Sequence, residues 1–154
     1  MLRTITEPNA PLSEIELELF ESHHRLRLPP SYKNFLLRNN GGRPTPAAFP
    51  IEEFTNNPFG GIQIFFGFGA RVPTSDLDMV LSDHFELIPS GIIPIACTDG
   101  YDLVCLDLRQ ESAPIVCWDR RSFWGTDVWS ERDLHPVADN FEALLASLVD
   151  LPTN

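Results

Sequence analysis

This chain has a single lysine, Lys33, and only three cysteines. It has no run of apolar residues long enough to cross a bilayer, which would need about 20 consecutive residues. Each shortage removes a class of function. With one lysine, on what reads as the outer face of a short helix, Schiff-base chemistry and lysine-bearing nuclease centres have almost no candidate. Cys97, Cys105 and Cys117 are odd in number and sit inside apolar segments, so they read as buried thiols rather than a disulfide framework, and a reducing compartment fits. The opening Met1-Leu-Arg-Thr-Ile-Thr-Glu-Pro8 lacks the apolar run of a secretory signal, which makes a soluble cytoplasmic protein the expectation. Catalytic motifs are missing too: there is no Gly-x-Ser-x-Gly elbow, no phosphate-binding P-loop and no His-Glu-x-x-His helix. Gly67 and Gly69 lack the third glycine of a dinucleotide fingerprint.

What the chain does have is acid. Its 154 residues carry 22 Asp and Glu against 11 Lys and Arg, a net charge of −11. The first 71 residues balance seven acids with seven bases, whereas residues 72–154 hold fifteen acids and only Arg109, Arg120, Arg121 and Arg132. Such a field repels nucleic-acid phosphates and anionic membranes and attracts basic partners. Solubility alone is the plainer use of it. At this length one domain is expected, burying about 68–70% of its unfolded surface, and 43% hydrophobic residues suffice for that core.

Periodicity predicts a helix over 11–22, with Leu12, Ile15, Leu19 and Phe20 inward and Glu14, Glu16, Glu18 and Glu21 in water. A second, short helix starts at Pro30, whose missing N–H costs nothing in a first turn, with Ser31 beside it to help satisfy the other free donors. It buries Tyr32, Phe35 and Leu36 and stops at Gly41-Gly42. Residues 43–59 read as a long irregular connection and 60–69 as a glycine-containing strand. A helix follows over 76–85, capped by Thr74 or Ser75. Strands are predicted at 92–98, 103–108 and 115–119, the first two joined by an Asp99-Gly100 turn in which glycine takes the positive φ. Residues 122–131 show no period, and Asp139 or Asn140 caps a closing helix with Phe141, Leu144, Leu145 and Leu148 on one face. The fold class is α+β, helices flanking a mostly antiparallel sheet of about four to six strands.

Few side chains suggest chemistry. His23 and His24 are adjacent and so cannot form the i, i+4 pair that grips zinc; at a helix end they complement the dipole. His84 and His135 have acidic sequence neighbours, and an exposed structural role outweighs a proton-shuttle role for both. Asp99 and Asp102 would serve as a glycosidase-like pair, although turn chemistry explains them equally. Trp118, Phe123, Trp124 and Trp129 near acidic residues have the anchor-and-rim composition of an interface, or of a packed core edge.

The stretch Leu28-Pro-Pro-Ser-Tyr-Lys-Asn-Phe-Leu-Leu-Arg-Asn-Asn-Gly-Gly42, preceded by an acidic helix, resembles the SUKH superfamily, the Smi/Knr type of domain. The likeness continues through Ile64-Phe-Phe-Gly-Phe-Gly69, the strands within residues 92–108, Val116-Cys-Trp-Asp119 and the helix over 141–148. It implies a single SUKH-like domain over 1–154 that binds protein rather than catalyses: a bacterial immunity protein occluding a basic, nuclease-like toxin domain, with no cofactor. A regulatory or scaffold module of the same family is the alternative, and an acidic-residue hydrolase a further one. Neither nucleic acid nor membrane is an expected partner. The expected contact surface comprises Asp76, Asp78, Asp83, Asp99, Asp102, Trp124, Asp127, Trp129, Glu131 and Asp133.

Overall fold

The computed structural model describes residues 1–51, 58–83, 87–119 and 131–151, with the backbone alone at Arg132. Strands β1 (Thr4–Thr6) and β2 (Arg43–Thr45) pair with each other, and a six-stranded antiparallel meander runs β3 (Ala48–Pro50), β4 (Phe59–Phe65), β5 (Ile92–Thr98), β6 (Leu103–Asp107), β7 (Ile115–Trp118) and β8 (Leu134–Ala138). The helices are α1 (Glu14–His24), α2 (Pro30–Arg38), α3 (Leu77–Asp83) and α4 (Phe141–Ser147). The α+β expectation holds.

Strands β6 and β7 are buried at every residue and β5 at all but Cys97, so both faces of the central sheet are covered. That is why their sequences run as unbroken apolar stretches instead of alternating. Pro94, which cannot donate to a ladder, sits beside a register shift between Pro94 and Ala96. Tyr32 and Phe35 of α2 pack on Phe141 of α4 with ring centroids 5.1 and 5.2 Å apart, and Phe35 reaches Phe65 of β4 at 5.0 Å. The Tyr32-Phe35-Leu36 stripe is buried, as its spacing requires.

The end of α2 shows why its glycines are glycines. Asn39 leaves the helix in an extended conformation, and positive φ falls at Gly41 (74°) and Gly42 (122°). A Cβ on Gly41 would lie 2.8 Å from the Phe65 carbonyl oxygen, and one on Gly42 2.7 Å from that of Thr6. The pair lets α2 return against β4 and β1. Asn40 completes the junction: its buried side-chain amide donates to the carbonyls of Ala10 (2.7 Å) and Phe68 (2.9 Å) and its oxygen accepts the Phe68 N–H (2.8 Å).

Several expectations need correction. Residues 43–59 are not wholly irregular, because β2 and β3 are recruited by β1 and β4. β1 and β8 carry no strong local pattern and form through partners remote in sequence. No side chain caps α2. The cap of α3 is Asp76, whose carboxylate accepts the Met79 N–H at 3.1 Å, not Thr74 or Ser75. The turn between β5 and β6 has three residues, with the Tyr101 N–H donating to the Thr98 carbonyl at 3.0 Å. Positive φ there falls on Tyr101 (67°) rather than Gly100, as in a type I turn closed by a left-handed residue. Asn140 does cap α4, accepting the Ala143 N–H at 2.8 Å. Cys105 and Cys117 are buried, but Cys97 is only half-buried.

Candidate partner-binding face

The first helix sets up an exposed surface by the phase it adopts. Ser13 and Glu16 form a reciprocal capping box, the Glu16 N–H donating to Ser13 Oγ at 3.3 Å and the Ser13 N–H to Glu16 Oε2 at 3.1 Å. Helix α1 therefore begins at Glu14, later than expected, and Leu12 enters the core from outside it. Apolar residues at 15, 17, 19 and 20 permit two stripes. Packing selects the one carrying Leu17 and Phe20, because the Phe20 ring meets Phe68 edge-on at 5.0 Å and His24 at 4.6 Å. Ile15 and Leu19, expected inward, are 67% and 65% exposed.

Beside Leu19 lies a shallow cleft of about 450 Å³ lined by Glu16, Leu19, Phe20, His23, Phe68, Gly69, Asp76 and Asp78. Its carboxylates are positioned by other contacts. Asp76 accepts the N–H groups of Gly69 (2.9 Å) and Ala70 (3.3 Å), so it fixes the turn after β4 as well as the start of α3. Asp78 lies 2.6 Å from His24 Nε2, tying α3 to α1. Glu21 on the same helix accepts the Leu28 N–H at 2.8 Å and lies 3.6 Å from Lys33 Nζ, so the sole lysine is half-buried and paired rather than free in solvent.

The structure thus brings Asp76 and Asp78 together, with Glu16 added from a helix outside the expected set. Asp83 is exposed at the end of α3, and Asp99 is exposed at the β5–β6 turn beside Gly61. Asp102 and Asp133 are each only 6% exposed, so burial in the sheet's end turns removes them from an open contact surface. Glu131 is exposed but is held by both terminal nitrogens of Arg109, at 2.9 and 3.2 Å. Trp124, Asp127 and Trp129 lie outside the described residues, as does His84. Trp118 is core.

Sequence reasoning placed Glu16 in water but not at a contact site, because the acids of α1 looked like an ordinary solvated face, and it turned Ile15 and Leu19 inward. Among the described residues no group of three or more His, Cys, Asp or Glu side chains is placed to hold a metal ion. No helix among them is long and apolar enough to cross a membrane. The Asp107 carboxyl is held below the usual range chiefly by hydrogen bonds from the Arg109 guanidinium.

Residues 11–147 match the SMI1 / KNR4 family (SUKH-1). The chain is also 26% identical, over 160 aligned residues, to the SPbeta prophage-derived uncharacterized protein YokK of Bacillus subtilis (strain 168), an alignment covering 94% of this chain and 76% of that protein.

Proposed function

The chain belongs to the SMI1/KNR4 family (SUKH-1), a family of immunity and regulatory domains, and from that premise we propose that it is a non-enzymatic immunity protein. It binds a basic, nuclease-like toxin domain and occludes the active cleft. The observation that carries this reading is the α1–α3 face, where Glu16, Asp76 and Asp78 surround a cleft floored by Phe20 and Phe68 and the exposed Ile15, Leu19 and Met79 stand on the two helices. Apolar anchors ringed by one sign of charge are the composition of a steered interface: the anchors hold the complex, and the charges speed encounter and set partner choice. Of the sequence-predicted residues, Asp76 and Asp78 line this cleft, and Asp83 is exposed at the end of α3. Asp99 adds to the acidic field, and Trp124, Asp127 and Trp129 stay in the proposal on their sequence alone. A cationic side chain of the partner, entering the cleft over the two phenylalanine rings, would gain both ion pairing and cation–π attraction.

A hydrolase would need a carboxylate of raised pKa in a deep site. Asp107, whose carboxyl is held low, lines neither cleft nor cavity, and the cleft beside Leu19 is shallow; both favour binding over hydrolysis.

The test is co-purification with the product of a neighbouring gene at about 50 and 500 mM salt, beside growth of cells expressing that product. Capture of a toxic basic protein, weakened by salt and neutralised by this chain, supports the reading. Glu16→Gln with Asp78→Asn, which remove two of the cleft's charges, should slow association several-fold, and Leu19→Ala should cost about 1–2 kcal/mol of affinity. Capture of a non-toxic partner whose binding ignores salt would move the assignment to a regulatory module.

A further inference from the structure

A larger cavity, of about 900 Å³, opens where the end of α1, the link to α2, the end of α3 and the approach to β5 meet. Leu81, Ile88, Ile92 and Ile93 are the buried part of its lining, and Leu26 and Leu108 the half-buried part. Arg25 and Arg27 supply its charge, His23 and His24 line it beside them, and Ser82 and Ser90 are exposed at it. Among the described residues, none of the fourteen that line it is an Asp or Glu. A basic toxin surface would be repelled here.

Two features point to a ligand for this rim. Arg25 and Arg27 make no ion pair among the described residues, and neither do Arg38 and Arg71, but only Arg25 and Arg27 stand at this cavity. Arg25 also occupies the left-handed position that ends α1, with φ of 54°. Its backbone N–H closes the helix on Ser22 at 3.4 Å and that of Leu26 on Glu21 at 3.0 Å, so two of the carbonyls that would oppose an anion are engaged. Capping needs no side chain there, and glycine would take this left-handed backbone without strain. The guanidinium serves something other than the cap.

We propose that this cavity binds a small amphipathic anion, an apolar body headed by a carboxylate or phosphate. The body lies on the isoleucine and leucine floor, and the head pairs with Arg25 and Arg27, a fork geometry suited to either oxyanion. The volume is within the range of about 300–1,000 Å³ typical of small-molecule sites. The cavity adjoins the α1–α3 cleft, sharing His23 with it and meeting Asp78 through His24, but the anion site is inferred without the partner assigned to that cleft.

Isothermal titration of the whole chain with decanoate, decyl phosphate, decanol and inorganic phosphate tests it. Decanoate or decyl phosphate should bind with one-to-one stoichiometry, and whichever binds tighter identifies the head; decanol and inorganic phosphate should each bind at least tenfold more weakly. Arg25→Gly, which suits the backbone while removing the guanidinium, and Arg27→Gln should each weaken the anion at least fivefold. Ser90→Trp, at the exposed lining, should obstruct it without disturbing the core, with circular dichroism confirming the fold of each variant. Absence of binding by both anions at millimolar concentration, equal binding of decanol and decanoate, or indifference to both arginine variants would overturn the assignment.

Discussion

Asp107 and Arg109, two residues apart at the end of β6, close on each other through hydrogen bonds of 2.9 and 3.0 Å, and the same guanidinium reaches across to Glu131. Asp107 is buried and its carboxylate also accepts the Arg109 backbone N–H at 3.0 Å. The fork thereby fastens the β6–β7 connection to the turn that precedes β8.

The arginine holds the Asp107 carboxyl below its ordinary range, so its stabilising effect is complete above the unfolded value of about 3.9 and is lost as pH falls through the lower folded value. Asp107→Asn should cost about 1–3 kcal/mol near neutral pH. Urea unfolding should show the gap from the parent protein closing below about pH 3; a gap unchanged by acid would contradict the ion-pair account.

Asn40→Ala should be among the more damaging substitutions outside the hydrophobic core. It deletes three side-chain hydrogen bonds and leaves the Phe68 N–H and two carbonyls to find other partners. The expected loss is about 2–4 kcal/mol in a chemical melt, with hydrogen exchange at Phe68 accelerated ahead of the sheet.

Gly41→Ala combines a left-handed φ with a methyl placed 2.8 Å from the Phe65 carbonyl oxygen and 2.9 Å from the Gly67 nitrogen. Backbone atoms cannot swing aside as a side chain does. A loss of about 2–3 kcal/mol is expected, and a variant melting within a degree or two of the parent would mean that α2 can leave β4 at little cost.

Tyr32→Phe should behave in the opposite way. The ring is fully buried between α2 and α4, burial pushes its phenol pKa up, and no described protein group bonds its hydroxyl. Removing that oxygen should leave stability unchanged or raise it by up to about 1 kcal/mol. A loss above about 1 kcal/mol would reveal a partner for the hydroxyl.

Local rules accounted for much of the fold. The proline-opened α2, its buried Tyr32-Phe35-Leu36 stripe, the Asn140 cap and the three apolar strands β5 to β7 each follow from residues within a few positions of one another. Elements made by remote partners escaped. β1 exists because β2 lies beside it, and β8 because β7 offers an open edge. Neither has a burial alternation strong enough to announce itself. The turn at Tyr101 escaped for a subtler reason: Asp-Gly signals a reversal, but the loop length decides which residue takes the positive φ.

The candidate face divides along the same line. Composition alone determined that this chain is acidic, that the acid is concentrated after residue 71, and that lysine chemistry is nearly closed to it. Charge counted along a chain carries no depth. Only the tertiary structure buried Asp102 and Asp133, occupied Glu131 with Arg109, and turned Ile15 and Leu19 outward by locking α1 on Phe20 and Phe68. Helical periodicity offers a set of stripes, and the packing of one ring against another chooses among them.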